Sequence, residues 1–345
     1  MSTILGASPE TTATVTPIGT AVTPTAAKTL DYFPIGMFGS VMSLTILSVA
    51  WRLAQPLIGA PTWISEVLQY LSSATFIVVA ACYLIKCVTA PQAVRGEFDH
   101  PIIGNLFGTL LISLLLQPIV IVQWSPLLAR AMWVVGAVGM TAFAWLVVTR
   151  WLTHRQKIEH ATPAWIVPVV GMLDVPLALP SLGLPPMHDV MVLSLAVGLF
   201  FAVPLFTMIM MRLVFEEPLP NALAPTLLIL VAPFSVGVST YLITVGQIDV
   251  FAQSLYALDV FVLATLFGRL RYLMGCCPFR VSWWAAGFPM GTSAIAALRI
   301  AAANPSSVNE GLAILLLALA SALIVFLLVR TLVGVFDGEL RHLSS

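Results

Sequence analysis

Residues 282–303 read SWWAAGFPMGTSAIAALRIAAA, an apolar run long enough to cross a membrane, with Pro289 standing inside it. A proline there removes a backbone hydrogen bond and clashes with the preceding turn, and in hydrocarbon the freed carbonyl needs another partner or a wet cavity. The same construction recurs along the chain, with Pro118, Pro176 and Pro233 interrupting the runs 101–123, 164–183 and 224–245. A membrane helix takes about 20 mostly apolar residues. By that measure there are ten spans, the others being 32–54, 62–87, 127–151, 188–213, 251–274 and 309–335. The separators are turn chemistry such as Gln55-Pro56, Leu184-Pro185-Pro186, Gly246-Gln247 and Asn304-Pro305-Ser306. Prolines at membrane depth in every second run point to helices that line a pore. The plainer alternative is that they only kink and pack a helical bundle.

Composition agrees with the span count. The 345 residues are 59% hydrophobic and 9% charged, with a mean hydropathy of +1.01, which leaves too little polar surface for a water-facing shell. The expected fold is an all-α integral membrane protein in the lipid bilayer. Net charge is zero and the basic residues are dispersed, so no nucleic-acid partner is expected. Cys82, Cys87, Cys276 and Cys277 lack metal-ligand spacing and read as inert thiols. Residues 1–30, rich in Thr, Ala and Pro, read as a disordered polar tail, followed by a membrane domain at 31–336 and a short tail at 337–345.

Basic residues set the orientation, because Lys and Arg accumulate in short cytoplasmic loops. Lys28, Lys86, Arg95, Arg150, Arg155, Lys157, Arg212, Arg269, Arg271, Arg280, Arg330 and Arg341 fall on one side, and only Arg52, Arg130 and Arg299 on the other. Both termini are therefore expected in the cytoplasm. The outer connections are short and the inner ones longer, which makes a helical hairpin the natural repeat, five times over. In four hairpins the first helix carries the interrupting proline, and in the other Gly36 and Gly39 stand at the comparable point. The second helices are rich in Leu and Ala, with Pro204 an exception in the sixth span. Five kinked odd-numbered helices inside five straighter ones would enclose a central pore, with Gly104, Gly108, Gly287 and Gly291 permitting close approach.

Few residues carry chemistry. His100, His154, His160, His188 and His342 lie at span ends, in loops or in the C-terminal tail, and no HExxH, GxSxG or phosphate-cradling loop occurs. No catalytic residue, metal site or cofactor is expected, and the chain is not read as an enzyme. Ionisable residues inside spans are costly and so are functional candidates. Asp174, two residues before Pro176, is a proton carrier, an electrostatic filter, or a partner for backbone that the proline frees. Asp259 in the eighth span reads as a structural group bonded to a neighbour, and Glu66 and Arg299 as snorkelling residues. Phe288, beside Pro289 and flanked by small residues, is either a core aromatic or a ring that closes a lumen by dewetting.

The chain resembles the tellurite-resistance/dicarboxylate transporter family, which includes bacterial TehA, fungal malate and sulfite transporters and the plant slow-type anion channels. The resemblance rests on Tyr32-Phe33-Pro34-Ile35-Gly36-Met37-Phe38-Gly39, Ala50-Trp51 and Glu97-Phe98-Asp99-His100-Pro101. It continues in Pro225-Thr226 through Val231-Ala232-Pro233 and in Trp283-Trp284 to Phe288-Pro289-Met290. It implies five helical hairpins about a central pore, assembly as a homotrimer with one pore per subunit, and a plasma-membrane location. It implies transport of small anions, by a channel-like route or by proton-coupled carriage of C4-dicarboxylates, sulfite or tellurite-type oxyanions or drugs. The phenylalanine that gates the family's pore matches Phe288. Phe38, Gly39, Pro118, Pro176, Pro233 and Pro289 are then expected to line or kink the pore, while Asp174 departs from the family's pattern, and its expected role in coupling or selectivity comes from its place in the fifth span alone.

Overall fold

The computed structural model describes residues 30–185, 187–276 and 279–343, and those residues are helical with no strand among them. Ten helices are long and apolar enough to cross a membrane: Ile35–Ile58, Thr62–Thr89, Ile103–Ile121, Pro126–Thr153, Pro163–Leu182, His188–Phe215, Asn221–Val245, Val250–Gly268, Val281–Ala303 and Ser307–Phe336. They are numbered one to ten in chain order. The tail expected over residues 1–30 lies outside the described residues as far as residue 29, as do Cys277 and Pro278.

Two sequence expectations are corrected. Gln55-Pro56, read as a turn, lies inside the first span, which runs on to Ile58 and stops at Gly59 with φ 62°. Pro56 costs that helix one bond in its last turn, whereas the left-handed backbone that ends it is supplied by glycine without a Cβ clash. The four prolines, expected as equivalent mid-span kinks, meet four different backbones. Pro289 sits inside the continuous α-helix Trp284–Ala303. Pro118 follows a break at Gln117, close to the end of the third span. Pro176 lies within the 3-10 segment Gly171–Ala178, and Pro233 in the first turn of Ala232–Val245, which continues the 3-10 segment Asn221–Val231. The fifth span also holds Pro163, Pro168 and Pro180, and the seventh Pro225. So many missing donors defeat an unbroken i→i−4 ladder, and the backbone tightens into i→i+3 turns.

Burial divides the spans by parity. In the odd-numbered spans 67–83% of the most apolar window is buried inside the protein, against 22–39% in the even-numbered ones. The odd-numbered spans touch in cyclic order, first to third, third to fifth, fifth to seventh, seventh to ninth and ninth to first, and each even-numbered span packs on the odd one before it. The even spans expose Trp63, Ile77, Leu84, Val138, Trp145, Phe200, Val203, Phe261 and Val325. Apolar surface on that scale belongs against acyl chains. Where the ninth span crosses the first, a Cβ on Gly287 would lie 2.5 Å from Ser43 Oγ, and one on Gly291 would strike Ile46. Glycine lets these two backbones meet.

Candidate functional site

The ring of odd-numbered spans encloses a cavity of about 290 Å³. Its walls come from the N-terminal and middle parts of all five: Gly36, Gly39 and Met42; Ile103 to Ile112; Ala164 to Asp174; Ala222 to Val236; and Val281 to Pro289. These spans run parallel, so their N-terminal ends gather at one mouth, ringed by Tyr32, Glu97, Thr162, Arg280 and Leu343. Four of the five helix starts have no side-chain cap, and at the third the His100 ring takes up the first N–H groups. Uncapped N–H groups and aligned peptide dipoles give each start a partial positive charge.

Charged side chains add to this at the mouth. Lys86, near the end of the second span, is 1% exposed, yet its Nζ donates to the Phe33 carbonyl at 2.7 Å and pairs with Glu97 at 2.8 Å. Tyr83 donates its hydroxyl to the other Glu97 oxygen at 2.9 Å. Glu97 belongs to the short helix Pro91–Asp99, which folds back against the second span. Its charge is thereby matched, leaving Arg280 as a further cation on the rim. His100, just beyond that helix, accepts from the Ile102 and Ile103 N–H groups, and partial burial with His160 nearby holds it below the usual imidazole range.

Inside, the cavity offers few free polar groups. Thr226 donates to the Leu223 carbonyl and Ser282 to the Ala222 carbonyl, each at 2.6 Å, and Thr109 to Leu106 at 2.6 Å. These hydroxyls satisfy carbonyls of the proline-rich helix starts and are not left for a ligand. The exceptions are Thr162 at the mouth, whose Oγ1 has no hydrogen-bond partner among the described residues, and Asp174, 2% exposed on the cavity wall, whose Oδ1 has none either. Met42, Ile112, Asp174, Val236 and the Phe288-Pro289 pair also line it. Phe288, 6% exposed, is one of the residues on the cavity wall. The turn beneath it is fixed by Thr292, whose hydroxyl donates to the Pro289 carbonyl at 2.9 Å and bonds to Ser235 at 2.7 Å.

The residues singled out in the sequence separate accordingly. Gly39, Asp174, Phe288 and Pro289 meet on the cavity wall. Phe38, Pro118, Pro176 and Pro233 are not among the described residues that line it. Phe38 turns the other way, edge-on to Phe76 and Tyr83 with ring centroids 6.4 and 6.1 Å apart. Asp259 accepts from Ser293 of the ninth span at 2.8 Å. The Lys86–Glu97 pair was missed as a functional unit. A lysine within the last turn of an apolar run, eleven residues before a glutamate, was the available signal.

A profile of the SLAC1 family, described as voltage-dependent anion channel, matches residues 32–332. The chain belongs to that family. It is 28% identical over 316 residues to the S-type anion channel SLAH3 of Arabidopsis thaliana, a match covering 88% of this chain and 48% of the relative. It is also 28% identical to the guard cell S-type anion channel SLAC1 of the same plant, over 88% of this chain and 56% of the relative. The chain thus spans about half the length of these two relatives. The tellurite resistance protein TehA homolog of Haemophilus influenzae is 26% identical over 89% of this chain and 92% of its own length. The chain is thus a multi-pass member of this family, with ten helices among the described residues long and apolar enough to cross a membrane.

Proposed function

We propose that this protein passes small anions across the plasma membrane, channel-like, through a central pore inside five helical hairpins, with both termini in the cytoplasm and Phe288 as the gate. The observation that carries this reading is the cavity mouth, where five helix starts, four of them without a side-chain cap, Arg280 and the Lys86-compensated Glu97 face the lumen together. Fixed dipoles and a net basic rim draw anions in without binding them tightly. The apolar wall beyond, with its hydroxyls already engaged, lets an anion leave, which conduction requires. Assembly as a homotrimer follows from the family likeness and belongs to the same proposal, which assigns the chain no catalytic activity. The test is flux from proteoliposomes under a potassium diffusion potential, with nitrate, chloride, malate and sulfite in turn. Valinomycin-dependent efflux of at least one anion above empty vesicles is expected. No efflux of any of the four from correctly inserted protein would reject the conduit.

Asp174 favours a second reading, proton-coupled carriage, because its carboxyl stands on the lumen wall with an unpartnered oxygen. A carboxyl placed there either takes up a proton with each turnover or screens the passing anion. Under coupling, Asp174→Asn abolishes the stimulation of uptake by an imposed proton gradient while leaving exchange at equal pH. Under the channel reading the same substitution raises anion flux wherever the carboxyl is ionised, since it then removes a negative group from the path.

A further inference from the structure

The sixth span buries a single stripe, Ser194, Gly198, Ala202, Leu205, Ile209 and Arg212. This stripe faces the inner ring, for a Cβ on Gly198 would collide with Leu173 of the fifth span. Arg212 ends the stripe and is 6% exposed. Its Nε and Nη1 are out of contact with solvent and lack a hydrogen-bond partner among the described residues, and neither ion pair found there involves it. A guanidinium does not shed its charge to escape burial, and a buried charge without counter-charge is among the costliest features a fold can carry.

The opposing group can be found by register. The fifth and sixth spans run antiparallel, so Gly198 opposite Leu173 sets their alignment. Fourteen residues of α-helix separate Gly198 from Arg212, and eleven residues, mostly 3-10, separate Leu173 from Thr162. At about 1.5 and about 2.0 Å per residue both stretches come to roughly 20 Å. Arg212 therefore lies at the depth of Thr162, and the sixth span does contact the 3-10 turn Pro163–Ile166 that begins there. Thr162 is 2% exposed, its Oγ1 has no partner, and it is part of the rim of the cavity.

We propose that Arg212 and Thr162 form an anion-binding site beside the cavity mouth, filled by a small free oxyanion that enters from the lumen. The guanidinium supplies the charge and two N–H donors, and the threonine hydroxyl a third donor from the lumen side. The choice of ligand rests on the anion-conduit reading, but the two fail separately. Flux without binding dependent on Arg212 removes this site alone, and binding without flux removes the conduit alone.

Thermal unfolding of the full-length protein, followed by tryptophan fluorescence, tests it with sodium nitrate titrated against sodium gluconate at constant ionic strength. In wild type the midpoint rises saturably with nitrate, in detergent and in phosphatidylcholine nanodiscs alike. Arg212→Gln abolishes at least nine-tenths of that rise, and in gluconate alone it melts no lower than wild type, because it removes an unpaired buried charge. Thr162→Val, which keeps the guanidinium, raises the half-saturating nitrate concentration severalfold, and it carries the test if the arginine variant fails to fold. A nitrate response unchanged in both variants overturns the site. A wild-type response seen only in lipid-free detergent overturns the free-anion assignment, since a lipid phosphate then occupies the place.

Discussion

Phe288→Ala raises anion conductance at least tenfold over wild type at matched surface expression in voltage-clamped oocytes. Tenfold corresponds to about 1.4 kcal/mol taken off the barrier, a modest demand for removing an aromatic ring from an apolar constriction. The ring lies on the cavity wall and is 6% exposed, and in the proposed gate water and ions meet it as a hydrophobic plug, which blocks by dewetting as well as by bulk. Its backbone is held by Thr292, which donates to the Pro289 carbonyl, and by the fixed φ of Pro289. Truncating a packed phenylalanine costs up to about 3–5 kcal/mol of stability, and the recording therefore needs a surface-expression control. Phe288→Leu, which keeps apolar bulk, gives an intermediate current. Wild-type current from well-expressed Phe288→Ala would remove the ring from the gate and leave it as core packing.

The spans were legible because hydropathy over about 20 residues is a one-dimensional property, and so was the parity of the fold, since prolines and small residues gathered in the odd-numbered runs. The backbone around those prolines was not legible. Whether proline kinks an α-helix, as at Pro289, or tips a segment into 3-10 turns, as around Pro176, depends on how many other donors are missing nearby and on what packs alongside. Side-chain direction was lost for a related reason. Phe38 and Gly39 are neighbours in sequence, but on a helix about 100° apart, and only Gly39 faces the cavity while Phe38 meets Phe76 and Tyr83. Arg212 reads as one more cytoplasmic-loop cation by position. Burial becomes visible only once the fifth span is laid along the sixth.

Lys86→Met is expected to destabilise the protein by about 3 kcal/mol, read as a lowered unfolding midpoint in detergent. Removing one member of a buried pair leaves the other charge uncompensated, at a typical cost of about 3–5 kcal/mol, and the low end applies because Glu97 opens on the cavity. The lysine also gives up its bond to the Phe33 carbonyl, which ties the start of the first span to the second. The double variant Lys86→Met with Glu97→Leu recovers most of the loss, since no charge remains stranded and the leucine fills the space. Flux separates the structural role from the electrostatic one. In Lys86→Met an unmatched carboxylate stands at the mouth and slows anion entry, most strongly at low ionic strength where screening is weakest. Adding Glu97→Gln restores entry even though the packing around residue 86 remains altered. If the single variant is as stable as wild type and its flux shows no added salt dependence, the pair neither holds the mouth together nor sets its charge, and attraction of anions falls to the helix starts and Arg280 alone.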